Sequence, residues 1–204
     1  MTTVCIIPAR YDSSRLPGKP LVNISGKPMI QWVYENAIKA EKIDQVIVAT
    51  DHEKIKQKVE SFGGNVVMTD SELASGTDRV AVAAKNLDVD IVINLQGDEP
   101  FIEAGLLDKL VSAFYDEHVY MATPIGKINE RHELINPSVV KVVKDKHNYA
   151  LIFSRNEIPY LRDIDKKLWL EKFNFYKHIG IYAYRKSFLN KLTELHKYRY
   201  VCKN

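Results

Sequence analysis

Three cations crowd one short stretch near the start of the chain. Residues 7–21 read IPARYDSSRLPGKPL and hold Arg10, Arg15 and Lys19 among two serines, Pro17 and Gly18. Arginine offers a planar fork of donors and lysine a mobile point charge, the two forms in which side chains meet phosphate oxygens. Glycine lets the backbone itself approach such a ligand. The stretch is neither GxxxxGK[ST] nor GxGxxG, so it belongs to neither of those phosphate-binding patterns. A plain solvated basic loop is the alternative reading.

A second stretch, residues 92–100 (VINLQGDEP), ends an apolar run in a glutamine, a glycine and two carboxylates. Magnesium takes hard oxygen ligands, commonly one or two carboxylates together with substrate phosphates. Asp98 is the better ligand candidate, Gln96 a polar contact and Glu99 a lesser one. Capping of a following helix is the competing use of Asp98. Residues 74–79 (ASGTDR) open a helix that Ser75 or Thr77 can cap, and the unpaired N–H groups of a first turn suit an anion or a base edge. Asp51, in VATD, either orients a ribose or base or starts the next helix. In residues 149–160 (YALIFSRNEIPY) and 177–185 (KHIGIYAYR), Ser154, Arg155, His178 and Tyr182 punctuate apolar runs. Arg155 and His178 together can hold a carboxylate or sugar hydroxyls, although a histidine in an apolar run is often a hydrogen-bonded core residue. No Ser-His-Asp set, HExxH site or nucleophilic cysteine stands out.

The elements that must position these groups alternate. Residues 3–8, 45–50, 65–68 and 90–95 are short β-branched runs, expected as strands buried on both faces. Between them residues 28–40, 52–62 and 77–86 are expected as helices. In the first, Ile30, Val33, Tyr34, Ala37 and Ile38 share a face, and Pro28 suits the opening turn. Gly63-Gly64 ends the second. Such alternation implies right-handed crossovers and an α/β fold with a doubly wound, mostly parallel sheet. Its ligand lies beyond the C-terminal strand ends, where residues 9–19, Asp51 and 96–100 fall. Residues 119–124, 138–144, 149–154 and 178–184 read as further strands, a mixed or antiparallel insertion spanning 119–184 within one domain of residues 1–204.

Of 204 residues 46% are hydrophobic and 27% charged, with Gly 9 and Pro 8, which excludes a disordered, collagen-like or low-complexity chain. No apolar run reaches the roughly 18 residues of a membrane span. The N-terminus lacks a secretory pattern, and Cys5 and Cys202 are too few for a disulfide framework. A cytoplasmic protein without membrane contact is expected. Net charge is +3, but residues 185–204 hold six basic residues and one acid, leaving 23 basic against 25 acidic before them. The main body therefore has no basic stripe for nucleic acid.

IPARYDSSRLPGKPL, VATD, SGTDR, NLQGDEP, VKVVKD, ALIFSR, IPY and HIGIYAYR occur in this order over about nine-tenths of the chain. The set resembles the 3-deoxy-manno-octulosonate cytidylyltransferases, the CMP-Kdo synthetases of lipopolysaccharide assembly, which have a nucleotide-diphospho-sugar transferase-like fold. The resemblance implies that the anomeric hydroxyl of Kdo attacks the α-phosphorus of CTP and pyrophosphate leaves. It implies Arg10, Arg15 and Lys19 on the triphosphate, Ser75 and Gln96 at the nucleotide, and Asp98 on Mg2+. Arg10, Lys19 and Asp98 are then the catalytic set, Arg155, His178 and Tyr182 the contacts to the sugar acid, and a homodimer the assembly.

The chain departs from the pattern twice. Leu73 and Ala74 stand where the family often has a histidine before SGT, which opens the acceptor to a related acid such as 8-amino-Kdo. After residue 185 the family continues into a helix, a strand and a VDTPED-like motif with a second magnesium ligand, whereas this sequence reads KSFLNKLTELHKYRYVCKN. A truncated or frameshifted reading is expected, with a nucleotide-binding remnant that does not turn over as the alternative function. Residues 187–195 can still form the first helix of that segment.

Overall fold

The computed structural model describes residues 1–12 and 16–194. In chain order its strands and α-helices are β1 (Thr3–Ala9), β2 (Asn23–Ile24), β3 (Lys27–Pro28), α1 (Met29–Ala37), β4 (Gln45–Thr50), α2 (Glu53–Ser61), β5 (Val66–Met68), α3 (Gly76–Ala84), β6 (Ile91–Asn94), α4 (Ala104–Ser112), β7 (Met121–Ala122), β8 (Ile125–Lys127), α5 (Arg131–Ile135), β9 (Lys141–Lys144), β10 (Ala150–Ser154), α6 (Trp169–Lys172), β11 (Tyr176–His178), β12 (Tyr182–Arg185) and α7 (Lys186–Glu194). The chain divides into two compact units, one of Met1–Ala122 with the chain from Ile181 onward, the other of Thr123–Gly180.

The first unit holds a six-stranded sheet in the order β5-β4-β1-β6-β12-β7. β5, β4, β1 and β6 are parallel, and β12 and β7 close the sheet with antiparallel pairings. Every residue of β1 and of β6 is buried, as expected of parallel strands covered on both faces. Val4, Ile6, Val80, Ala84, Val92 and Leu189 meet in one core beside the sheet. α1 buries Ile30, Val33, Tyr34 and Ala37, but Ile38 is largely exposed because the helix ends before it. Pro28 is the N-cap residue, one position outside the first turn. Gly63, at φ +77°, and the bond from Gly64 N–H to the Val59 carbonyl end α2.

The second unit is a four-stranded sheet in the order β10-β9-β11-β8, antiparallel throughout. Its small core stacks Trp169 on Phe175, with Ile128 and Leu134 beside them. Lys141 is fully buried there, and its ammonium donates to the carbonyls of Asn136, Val139 and Arg155, each at 2.8 Å. Three acceptors satisfy its three donors, and burial lowers its pKa from the ordinary lysine value.

Two expected strands resolve differently. Residues 178–184 are not one strand: β11 and β12 belong to different sheets, and Ile179–Ile181 with Gly180 between them carries the chain from one to the other. Of residues 119–124 only Met121–Ala122 form a strand, β7, and β8 starts just beyond them at Ile125. Continuous apolar character shows that a segment is buried but not which sheet buries it. No helix of the described residues is long and apolar enough to cross a membrane.

Candidate functional site

At the C-terminal ends of β1 and β6 the first unit opens a cavity of about 230 Å³ lined by Pro8, Arg10, Lys19, Pro20, Gly76, Gln96, Gly97 and Asp98. Residues far apart in sequence reach it because β1 and β6 pair in parallel register, Thr3 beside Ile91 through Ile6 beside Asn94. Each strand then delivers its following loop to the same sheet edge, where open α/β sheets bind ligands. A larger cavity, about 540 Å³, lies between α3 and α7. We place the site in the smaller one, because two cations, Arg10 and Lys19, meet Gln96 and Asp98 there at the C-terminal strand ends, whereas Lys85 in the larger one stands among Glu72, Asp78 and Glu194.

Lys19 Nζ lies 2.5 Å from Asp98 Oδ2, with both side chains well exposed to water. The Arg10 guanidinium donates to the Leu73 carbonyl at 2.5 Å, tying the first loop to the segment before α3. Gln96 is oriented from behind: its amide donates to Asn94 Oδ1 at 2.9 Å, and Asn94 in turn donates to the Thr77 hydroxyl at 3.4 Å. Its Oε1 therefore faces Gly76. Gly97 packs so tightly that a Cβ would sit 3.1 Å from the Pro8 carbonyl oxygen. Glu99 is raised above the usual carboxylate range, first by burial and then by the charge of Asp98, with Lys19 opposing.

Ser75 caps α3. Its hydroxyl accepts from Asp78 N–H at 3.1 Å and donates to the Asp78 carboxylate at 2.6 Å, so it is Gly76 that lines the cavity. Asp51 does not cap α2; His52 does, through Nδ1 accepting from Lys54 N–H at 3.1 Å. The Asp51 carboxylate instead receives the fully buried Arg79 guanidinium at 2.8 Å and the backbone N–H of Tyr11 at 3.2 Å. Arg79 also donates to the Thr69 hydroxyl. Arg15 lies outside the described residues.

Tyr182 lies in the first unit, paired with Asn94 across β12 and β6, and burial raises its pKa. Arg155 and His178 belong to the second unit. Ser154 and Lys177 both pair with Lys141 from opposite sides of β9, so the next residues, Arg155 and His178, lie at the same end of that sheet, Arg155 just past the end of β10. Arg155 donates to the Pro137 carbonyl at 2.9 Å. His178 Nε2 lies 2.8 Å from the Thr123 hydroxyl, which also reaches the Ile179 carbonyl at 3.1 Å. Burial lowers the His178 pKa.

Sequence reasoning missed the Arg79–Asp51–Tyr11 chain and the Asn94 brace behind Gln96. SGTDR displays Arg79 as one more surface cation, and nothing in its neighbours signals burial. Asn94 sits in an apolar strand run, where a lone amide is a weak sign of a structural hydrogen bond.

A family model described as Cytidylyltransferase matches residues 4–201. A 3-deoxy-manno-octulosonate cytidylyltransferase of Thermodesulfovibrio yellowstonii is 45% identical, covering 96% of this chain and 80% of that one. An 8-amino-3,8-dideoxy-manno-octulosonate cytidylyltransferase of Shewanella frigidimarina is 48% identical over 96% of this chain and 79% of its own length. Among solved structures, a CMP:2-keto-3-deoxy-manno-octonic acid synthetase complexed with CTP superposes with a TM-score of 0.89 at 44% identity, covering 97% of this chain and 79% of that one. With a phosphate-suited cavity at the sheet edge and relatives this similar over nearly its whole length, the chain belongs to the cytidylyltransferase family.

Proposed function

We propose that this protein transfers CMP from CTP to 3-deoxy-manno-octulosonate, releasing pyrophosphate. The observation that carries this reading is the convergence of Arg10, Lys19, Gln96 and Asp98 on one cavity, in a chain 45% identical to a cytidylyltransferase of that acid. The new bond joins the anomeric oxygen to the α-phosphorus, the α–β bridging P–O bond breaks, and the hydroxyl proton is lost to solvent. Such a displacement needs positioning and charge neutralisation rather than a covalent nucleophile. Arg10 and Lys19 supply cations for the phosphates. The Lys19–Asp98 pair is solvent-screened and so contributes little to stability, which leaves both groups available to exchange partners when nucleotide arrives.

Asp98 is the carboxylate that would hold Mg2+. No cluster of three metal-ligating side chains is assembled among the described residues, which suits an ion that keeps waters and takes substrate phosphate oxygens. When bound, such an ion neutralises phosphate charge and acidifies a coordinated hydroxyl. Ser75 and Arg15 are proposed nucleotide contacts. Tyr182 in the first unit and Arg155 and His178 in the second are proposed contacts to the sugar acid. A nucleoside triphosphate substrate supports a cytoplasmic location.

The test is pyrophosphate release in the presence of CTP, Mg2+ and acceptor, comparing 3-deoxy-manno-octulosonate with its 8-amino-3,8-dideoxy analogue. Release dependent on the first acid is expected. Turnover with the analogue alone reassigns the acceptor, and absence of both turnover and CTP binding overturns the reading.

A homodimer is proposed through β10. This edge strand leaves Leu151, Ile152 and Phe153 exposed at 62%, 58% and 47%. Consecutive strand residues point to opposite faces, so both faces of the strand are uncovered beside an unpaired edge. Ile152→Lys is expected to shift the sedimentation coefficient from dimer to monomer; an unchanged value would move the interface elsewhere.

A further inference from the structure

Arg10 and Lys19 are the chain neighbours of Tyr11 and Gly18, two residues that a backbone hydrogen bond joins. Gly18 N–H donates to the Tyr11 carbonyl at 2.7 Å. The two cations that line the cavity are thus neighbours of the two residues that form this bond. Whatever fixes Tyr11 therefore fixes the spacing of Arg10 and Lys19.

Tyr11 is held on every side. Its N–H donates to Asp51 Oδ1 at 3.2 Å, and Asp51 is itself immobilised by the buried Arg79. Its ring lies on the His52 imidazole, centroids 3.9 Å apart and planes 17° from parallel. Lys54 Nζ stands 5.5 Å from the ring centroid. The ring also rests against Gly18, where a Cβ would come to 3.4 Å from the ring edge and where φ is +70°. Glycine meets both demands there, the left-handed backbone and the missing Cβ. Each of these contacts is made by the Tyr11 backbone or ring, so the ring is what the arrangement uses.

We propose that Tyr11 is a positioning residue for the nucleotide site: stacked on His52 and pinned by Asp51, it sets the separation of Arg10 and Lys19 before nucleotide arrives. The inference rests on the reading of this cavity as the CTP site. The benefit is preorganisation. Fixing Arg10 and Lys19 on binding costs conformational entropy that residues already held through Tyr11 and Gly18 have lost. The stack and the N–H···carboxylate bond do not touch the reacting atoms, so their loss weakens binding of nucleotide more than it slows the chemical step.

The test compares Tyr11→Ala, Tyr11→Phe and His52→Asn in the full chain with CTP and Mg2+, measuring Kd for CTP by calorimetry, KM and kcat by pyrophosphate release, and the unfolding midpoint. Tyr11→Ala is expected to raise Kd and KM for CTP about tenfold or more with kcat changed far less. Tyr11→Phe, which keeps the ring, is expected to restore wild-type values. His52→Asn keeps a good helix cap and removes only the stacking partner, so a rise of about 2- to 10-fold is expected even if Tyr11→Ala does not fold. Unchanged CTP affinity in His52→Asn and in a folded Tyr11→Ala overturns the inference alone, as does a Tyr11→Phe variant as weak as Tyr11→Ala. Failure of the unaltered chain to bind CTP overturns the cytidylyltransferase reading, and the inference with it.

Discussion

Asp98→Asn is expected to cut pyrophosphate release by about 10²–10³-fold, the scale seen when one preorganised charge stabiliser is removed from a transition state. The substitution nearly preserves shape and removes one negative charge. Asp98 is half exposed, and its ion pair is with the comparably exposed Lys19. Pairs of that kind are worth about 0–1 kcal/mol to stability, so the unfolding midpoint should stay close to that of the unaltered protein. The separation of the two effects is the informative part. Loss of turnover with stability retained assigns the carboxylate to the reaction, whereas wild-type turnover in Asp98→Asn would remove the metal assignment and shift attention to Glu99, whose carboxyl is held in a more buried position beside it. Lost turnover together with a collapsed midpoint would make Asp98 a structural residue.

The second large effect falls on stability. Arg79 is fully buried and Asp51 nearly so, and their charged atoms lie 2.8 Å apart. Burial pulls the Arg79 pKa below the ordinary arginine value, and the charge of Asp51 resists that pull. Asp51→Ala leaves the guanidinium without its ion-pair partner, with the Thr69 hydroxyl and the charge of Asp70 remaining and no partner for Nε among the described residues. Breaking a buried pair in this way typically costs about 3–5 kcal/mol, a large part of the roughly 5–15 kcal/mol of a folded domain. Arg79→Met should cost clearly less. It fills the space with an apolar chain, and the Asp51 carboxylate left behind retains the Tyr11 N–H and some access to water. Urea unfolding of the two variants checks the ordering; a methionine variant less stable than the alanine variant would show that the guanidinium, not the desolvated charge, dominates.

Much of the site was legible as residue chemistry. Arg10, Lys19, Gln96 and Asp98 are unusual groups placed just after apolar strand runs, and the structure brings all four to one cavity. That inference works because a parallel βα fold puts every such loop at the same sheet edge, whatever the details of packing. The helices were legible for a similar reason, since the apolar face of α1 obeys a 3.6-residue period up to Ala37. Ile38 fits the period equally well and is nevertheless exposed, because periodicity does not say where the backbone stops being helical. The edge strand β10 shows the converse: ALIFS reads as core, yet its apolar side chains lie in the open.

What residue types and their spacing establish here are the alternating strands and helices of the first half and the sheet edge at which Arg10, Lys19, Gln96 and Asp98 gather. They do so because strand period, helix period and cation placement are local properties, carried within a few residues. The partner of each charge is not local. Lys141 and Arg79 look in sequence like any solvated cation, and each is fully buried, one on three backbone carbonyls and the other on Asp51. Ser75 caps α3 and Asp51 holds Arg79 for the same reason: a short polar side chain bonds whichever group the packing brings within 3 Å. Only the folded arrangement of β1, β4, β6 and α3 settles which of these groups face a ligand and which hold the framework that presents them.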